Sequence, residues 1–416
     1  MANSFNHVSV IGLGYVGLPT AAVIANRGIN VTGVDISAET TEAINRGETH
    51  IVEPDLDILV RSAVSAGNLR AVAAPQPAEA YIIAVPTPLG EGNTPDLSHL
   101  EKAAQDLAPV LEKGNLIILE STSPVGTTEK LAEWLQAARP ELKFPIADSE
   151  ALDIHIAYSP ERVLPGRVLI ELVDNDRVIG GLTDACSARA ALLYKQFVKG
   201  ECLITTARTA ELVKLAENAY RDTNIAFANE LSLIGEAVDV DVWEVIELAN
   251  RHPRVDILKP GPGVGGHCIA IDPWFIVDSA PELAPLIKAA RGVNDGKPRH
   301  IATHVAASLD ESDATPIACL GLAYKADIDD LRESPAVDVV RELSALTNRR
   351  LLLVEPHIEK LPPELAAIQT AQLCDLETAL SQAGAVILLT DHSAFKTIEN
   401  LDGADKVLFD TRGMWR

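Results

Sequence analysis

Residues 7–35 constrain this chain more than any other stretch. HVSVIGLG has the β-branched character of a short strand, LPTAAVIANRG that of a helix and INVTGVD that of a second strand, with Gly12, Gly14 and Gly17 in the turn between. Each glycine has a physical purpose. The first permits the tight turn, the second lets a pyrophosphate approach the backbone, and the third lets the helix close on the strand. The helix N-terminus then offers unpaired N–H groups to an anion. Asp35 ends the second strand where a carboxylate accepts the ribose hydroxyls and repels a 2′-phosphate. The stretch therefore predicts a βαβ unit that holds NAD rather than NADP, with Tyr15 and Val16 of the same turn as further cofactor contacts.

The alternation continues. AYIIAVPTP and NLIILESTSP add short apolar strands that end in Pro, Thr or Ser, and strands alternating with helices predict a parallel sheet over residues 1–205. From Thr209 to about Arg251 the periodicity becomes helical, which predicts a long helix, a second helix and a helical middle domain, 206–314. KPRHIATHVAASL (297–309) continues helically. Near Thr315 the strand–helix alternation restarts with TPIACLGLAYK, SPAVDVVRELSAL, RRLLLVEP, LETALSQA, AVILLTD and KVLFDTR. The expected fold is α/β: two Rossmann-like domains, the second over 315–416, joined by a helical middle domain with a long central helix.

At 416 residues the chain exceeds a single core. Its formal net charge of −24 excludes a nucleic-acid or anionic-membrane partner, because each needs a basic face. The acidity serves solubility or adaptation to salt. No apolar run approaches the ~20 residues of a membrane span. MANSFNHVSVIG lacks the basic and apolar regions of a secretory leader. Cys186, Cys202, Cys268, Cys319 and Cys374 are scattered, with neither a disulfide framework nor CxxC metal spacing. A cytoplasmic, reduced protein without a bound metal is expected.

Cys268 lies in GPGVGGHCIAIDPW (261–274), among four glycines and four residues before Asp272. A thiol so placed is a structural residue, a metal ligand or a nucleophile, with the glycines letting a substrate approach the backbone. Lys214, Asn218 and Arg221 fall at i, i+4 and i+7, on one helical face, which is either a solvated stripe or a proton-handling site. Thr87 and Thr122 close later strands, at the sheet end where ligands lie, or simply satisfy turns. His252, Arg254, Lys325, Arg332 and Arg412 sit beside Gly- and Pro-rich turns, as phosphate-binding residues or as surface ion pairs.

Taken in order, GLGYVGLPTA, VPTP, STSPVGT, SPERVLPG, ELVKLAENAYRD, GPGVGGHC and YKADIDDLRESP resemble the UDP-glucose/GDP-mannose dehydrogenase family over nearly the whole chain. INRGETHIVEPDL, NRHPRV and GGHC, where UDP-glucose enzymes usually carry GGSC, resemble its UDP-N-acetyl-D-mannosamine branch, which serves surface polysaccharides such as enterobacterial common antigen. The resemblance implies a four-electron, NAD-dependent oxidation of sugar C6 through a Cys268 thiohemiacetal and thioester. Lys214 and Asn218 would handle the C6 oxygen with a water on Thr122, Asp272 would help the hydrolytic half, and Glu161 stands where the family places a catalytic-site carboxylate. Arg162, Val163, Lys214, Asn218, Arg221, His252, Arg254, Gly265, Tyr324, Lys325, Arg332 and Arg412 would contact the UDP-sugar. His252 and Arg254 would reach it from the second subunit of a homodimer, and Arg412 stands where relatives can carry Lys. UDP-N-acetylglucosamine and UDP-glucose are the alternative substrates. A silent nucleotide-sugar sensor would lack Cys268 or Lys214, and a β-hydroxyacid dehydrogenase would lack the second α/β domain and the GGHC loop.

Overall fold

The computed structural model describes residues 5–146, 152–164, 166–266, 269–310, 314–398 and 406–415. The chain divides into two compact units, Met1–Glu217 with Trp274–Ser279, and Asn218–Pro273 with Ala280–Arg416.

The first unit is built on eight strands: β1 (His7–Ile11), β2 (Asn30–Val34), β3 (Leu69–Val72), β4 (Ala80–Ile83), β5 (Leu116–Leu119), β6 (His155–Tyr158), β7 (Arg177–Gly181) and β8 (Cys202–Thr206). Their order in the sheet is β3-β2-β1-β4-β5-β6-β7-β8. All pairings are parallel except β6 with β7, so the direction reverses once. The central strands are apolar on both faces because both are covered. Val8, Val10, Ala80 and Ile82 enter one core cluster, while Ile11, Tyr81 and Ile83 enter the other. The helix Gly17–Ala25 is buried at every residue. The next helix, Ala38–Asn45, starts where Ser37 accepts from the Thr40 N–H, a side-chain cap that satisfies an orphan donor.

The second unit carries β9 (Ile317–Leu320), β10 (Leu351–Val354), β11 (Ala371–Leu373), β12 (Ala385–Leu388) and β13 (Val407–Asp410), in the all-parallel order β11-β10-β9-β12-β13. Its residues alternate between two clusters in the same way, Ile317 and Cys319 to one side and Ala318 and Leu320 to the other. Two α/β sheets form as expected from the sequence, but the antiparallel step between β6 and β7 departs from the wholly parallel first sheet expected over residues 1–205.

The helical region also forms as expected, as the helices Ala207–Ala237 and Val242–Ala249. The first ends where Asp239 takes φ 56 and the Val240 N–H returns to the Gly235 carbonyl at 2.9 Å, a left-handed closure that Asp tolerates. The stretch at 297–309 belongs to a longer helix, Pro285–Ala307, than its sequence suggests. Gly292, Gly296 and Pro298 disguise it, and the buried face carrying Ala290, Asn294, Ile301 and Val305 overrides their low propensity. No helix among the described residues is long and apolar enough to cross a membrane.

Candidate active site

After β1 the backbone turns at Gly12, φ +89, where a Cβ would lie 2.6 Å from the Ala84 carbonyl oxygen. Gly17 opens the helix against the Gly12 carbonyl, leaving no room for a Cβ. Gly14 differs: a Cβ there meets nothing within 4 Å, so the space beside it is left open. The helix has no side-chain cap and no acidic residue in its first turn. Its N-terminus therefore keeps its donors and repels no anion. Asp35 accepts from the Leu13 N–H at 3.0 Å and the Ser37 N–H at 2.9 Å. A carboxylate has about four lone-pair sites, so two remain for ribose hydroxyls. Tyr15 is 42% exposed and Val16 half-buried at the rim. The turn fits a dinucleotide, with the pyrophosphate at Gly14 and a ribose at Asp35.

At the same end of the sheet the Thr87 hydroxyl donates to the Thr122 carbonyl at 2.5 Å, and the Ser121 hydroxyl to the Val85 carbonyl at 2.7 Å. The loops after β4 and β5 are thus stapled together. Glu161 is buried, and its carboxylate accepts from the Arg177 guanidinium at 2.7 Å and from the Arg162 N–H at 2.6 Å. Arg177 also faces Glu120, which accepts from the Tyr194 hydroxyl at 2.7 Å. Burial pushes the Glu120 carboxyl up to about 7 against the pull of Arg177, with Glu161 adding to the rise. Two carboxyls share one guanidinium, which favours a retained proton. Arg162 grips Glu217 through two nitrogens, at 3.0 and 2.6 Å. Val163 packs against the core of this unit.

The helical face at Lys214, Asn218 and Arg221 is solvated only at Arg221. Asn218 is 8% exposed and donates to the buried Asp272 at 2.5 Å. Lys214 is half-buried and makes no hydrogen bond or ion pair with another described residue. One turn further on, polar residues that the sequence did not single out form a buried chain. Arg291 pairs with Asp222 at 2.6 Å, and Asn294 donates to Asp222 at 2.8 Å. Asn229 donates to Asn294 at 2.8 Å and accepts from the Gly261 N–H at 2.8 Å. The chain ends at the root of the glycine loop. Asp222 and Asn229, seven residues apart in a helix with an apolar face, were its only sequence signal.

The glycines of that loop are also required by the protein around them. Gly261 abuts the Arg412 guanidinium, and a Cβ on Gly263 (φ +149) would lie 3.0 Å from both the Asn294 carbonyl and Pro335. On Gly265 it would lie 2.5 Å from the Glu333 carbonyl, and on Gly266 (φ +87) 2.9 Å from the Tyr324 ring. Gly265 and Tyr324 are therefore neighbours. Cys268 and the adjacent His267 lie outside the described residues.

The remaining basic candidates divide in two. Arg332 is engaged by Asp330 at 2.8 and 2.6 Å, and Arg412 by Asp391 at 3.0 and 2.9 Å. Arg221, Arg254 and Lys325 are exposed and have no anionic partner among the described residues. His252 is exposed too, its ring accepting from the Arg254 N–H at 3.3 Å. Exposed cations of this kind can meet a phosphate-bearing ligand without first breaking an ion pair. Asp327, His357 and His392 lie close enough to suggest a metal. Yet His392 spends one ring nitrogen on Glu355 at 3.0 Å and the other on the Asp327 N–H at 2.9 Å. His392 is thus committed to protein partners, and His357 stands beside it with its ring 3.9 Å from Asp327.

The NAD binding domain of the UDP-glucose/GDP-mannose dehydrogenase family matches residues 6–198, its central domain residues 208–296 and its UDP binding domain residues 318–416. The chain belongs to that family. It is accordingly an NAD-dependent dehydrogenase of UDP-sugars. It is 57% identical over 421 residues to the UDP-N-acetyl-D-mannosamine dehydrogenase of Yersinia pestis, covering 99% of this chain and 100% of that one. It is also 56% identical over 411 residues to the NDP-N-acetyl-D-galactosaminuronic acid dehydrogenase of Ralstonia nicotianae, covering 99% and 96%. Among solved structures, a UDP-D-ManNAc dehydrogenase from Pyrococcus horikoshii superposes with TM-score 0.88 at 38% identity, covering 99% and 96%.

Proposed function

We propose that the enzyme oxidises C6 of a UDP-N-acetylhexosamine, UDP-N-acetyl-D-mannosamine before others, to the uronate. The observation that carries this reading is the 57% identity, end to end, with a UDP-N-acetyl-D-mannosamine dehydrogenase. Residues 1–205 hold NAD, 206–314 carry the reacting side chains and 315–416 hold the UDP moiety. Bound NAD supplies the hydride acceptor. Lys214, half-buried and without a protein anion, takes the proton of the C6 hydroxyl as hydride leaves C6. The Cys268 thiolate adds to the resulting aldehyde and gives a thiohemiacetal, so the reactive carbonyl stays bound. A second hydride transfer gives the thioester, and water releases the carboxylate and the thiol. The overall reaction consumes one alcohol, two NAD and one water, and yields one carboxylate, two NADH and protons. Asn218 and Asp272, joined in the fold, position the C6 oxygen and the hydrolytic water, with Thr122 holding a water of its own and Glu161 ordered by Arg177. Arg162, Arg221, Tyr324, Lys325, Arg332 and Arg412 bind the diphosphate and nucleoside.

A homodimer through the long helix completes the reading, with His252 and Arg254 contributed across it. Tyr220, Phe227 and Ile234 recur every seven residues and are 69%, 53% and 49% exposed, the spacing of a helix–helix seam. The setting is the cytoplasm, and the product enters a surface polysaccharide of the enterobacterial common antigen type. A second substrate, UDP-N-acetyl-D-galactosamine, is favoured by the Ralstonia relative.

The test is NADH yield per sugar consumed across UDP-N-acetylmannosamine, -galactosamine and -glucosamine and UDP-glucose. Two NADH per sugar, fastest with the mannosamine compound, is expected; one NADH per sugar would refute the thioester route. Cys268→Ser should bind NAD normally and release no uronate.

A further inference from the structure

Beside the root of the glycine loop the second unit contains a cavity of about 250 Å³. Glu236 lines it from the long helix, Lys297, His300 and His304 from the helix Pro285–Ala307, and Asp410 from the end of β13. The acids there are already satisfied. Glu236 is held between His300 at 2.9 Å and His304 at 2.6 Å. Asp410 accepts from the Arg412 and Trp415 N–H groups, each at 2.9 Å.

The cation is not. Lys297 is 7% exposed, and its one hydrogen-bond partner among the described residues is the Ser232 hydroxyl, at 2.6 Å. Burial pulls its ammonium down to about 8, against the pull of Glu236. Glu236 attracts Lys297 without forming an ion pair with it; a buried charge lacking a direct ion pair is costly, and the group that relieves it is an anion. Trp243 and Phe409 line the same cavity and offer flat apolar surface to the body of such a ligand.

The cavity also touches the catalytic loop. Gly261 is part of its wall. Ser232, which receives the Lys297 hydrogen bond, donates in turn to the Asn229 carbonyl at 2.6 Å, and the Asn229 side chain holds the Gly261 N–H. We propose that this cavity binds a small organic anion, its carboxylate or phosphate head on Lys297 and its apolar body against Trp243 and Phe409, and that occupancy adjusts the loop beginning at Gly261.

The experiment is calorimetric titration of the full chain, with NAD and UDP saturating, using benzoate, phenyl phosphate and inorganic phosphate as separate probes. Saturable binding of at least one organic probe at pH 7 is expected, and the preferred probe identifies the head group. Above pH about 8 the affinity should fall, approaching tenfold per pH unit as the ammonium loses its proton. Glu236, His300, His304 and Asp410 face the same space, so the profile is compared with that of Lys297→Met. That variant should weaken the probe by about tenfold or more and leave NAD affinity within about twofold. A bound probe should also change the rate at which iodoacetamide alkylates Cys268. Failure of every probe to saturate, equal affinity in Lys297→Met, or an affinity flat from pH 7 to 9.5 in the parent would overturn the site. Binding with an unchanged alkylation rate would overturn the link to the loop.

Discussion

At the end of β1, Gly12 takes φ +89 and its N–H donates to the Val34 carbonyl at 2.8 Å. At the end of β9, Gly321 takes φ +87 and donates to the Val354 carbonyl at 2.8 Å. Each turn then meets a carboxylate from the end of the neighbouring strand, Asp35 in one unit and Glu355 in the other. The resemblance stops there. Asp35 is half-buried and keeps lone pairs for a ligand. Glu355 is 5% exposed, and one of its oxygens accepts from the Leu322 and Ala323 N–H groups at 2.7 and 3.0 Å and from His392 at 3.0 Å. One backbone device thus serves recognition in the first unit and scaffolding in the second. What separates them is whether protein donors have used up the carboxylate.

The hardest blow to that contrast is a pair of substitutions. Glu355→Ala strands three backbone donors and the His392 ring, and urea unfolding should show a loss of roughly 3–5 kcal/mol. Asp35→Asn should cost under about 1 kcal/mol by the same measurement and raise the kcat/KM ratio of NADP to NAD by about tenfold or more. Equal destabilisation by both would dissolve the distinction.

The next prediction uses pH. Burial alone would raise Glu355, but His392 and the two backbone donors hold it below the usual carboxylate range. Its contribution is therefore present above pH about 4.5 and lost as pH falls through the lowered value. Glu120, lifted by burial to about 7, has the opposite sign. It favours the folded state while protonated, so the first unit loses stability as pH rises from about 4.5 to 7. Glu120→Gln should remove that decline, an effect on the order of 2–3 kcal/mol between pH 5 and pH 8. A parent whose urea midpoint is flat over that range would contradict it.

The smallest expected effect is at Gly14. With nothing within 4 Å of its missing Cβ, Gly14→Ala should change stability by less than about 0.5 kcal/mol while raising the KM for NAD severalfold. A large fall in the unfolding midpoint would mean that protein, not cofactor, fills that space.

Much of this was legible beforehand because it rests on local order. The spacing of Gly12, Gly14 and Gly17, the position of Asp35 and the long helix at 207–237 follow from turn geometry and periodicity. The reversal between β6 and β7 did not, since strands of four or five residues state no direction. Nor did the pairings Asp222–Arg291, Asn229–Asn294 and Glu355–His392. Each joins residues tens of positions apart, and a polar residue facing the core looks, in sequence, like one facing water. The helix through Gly292, Gly296 and Pro298 was hidden for the opposite reason, local signals having been overruled by burial.

The close fit of Gly261, Gly263, Gly265 and Gly266 bears on how a mutational scan of this enzyme would be interpreted. Substitutions at these positions should abolish activity almost uniformly and draw what looks like the outline of a reaction centre around Cys268. Yet the steric conflict is with Asn294, Tyr324, Glu333, Pro335 and Arg412, so much of that signal would track the amount of folded protein. Scoring soluble abundance beside turnover would separate a loop that is intolerant because it reacts from one that is intolerant because it is a wall.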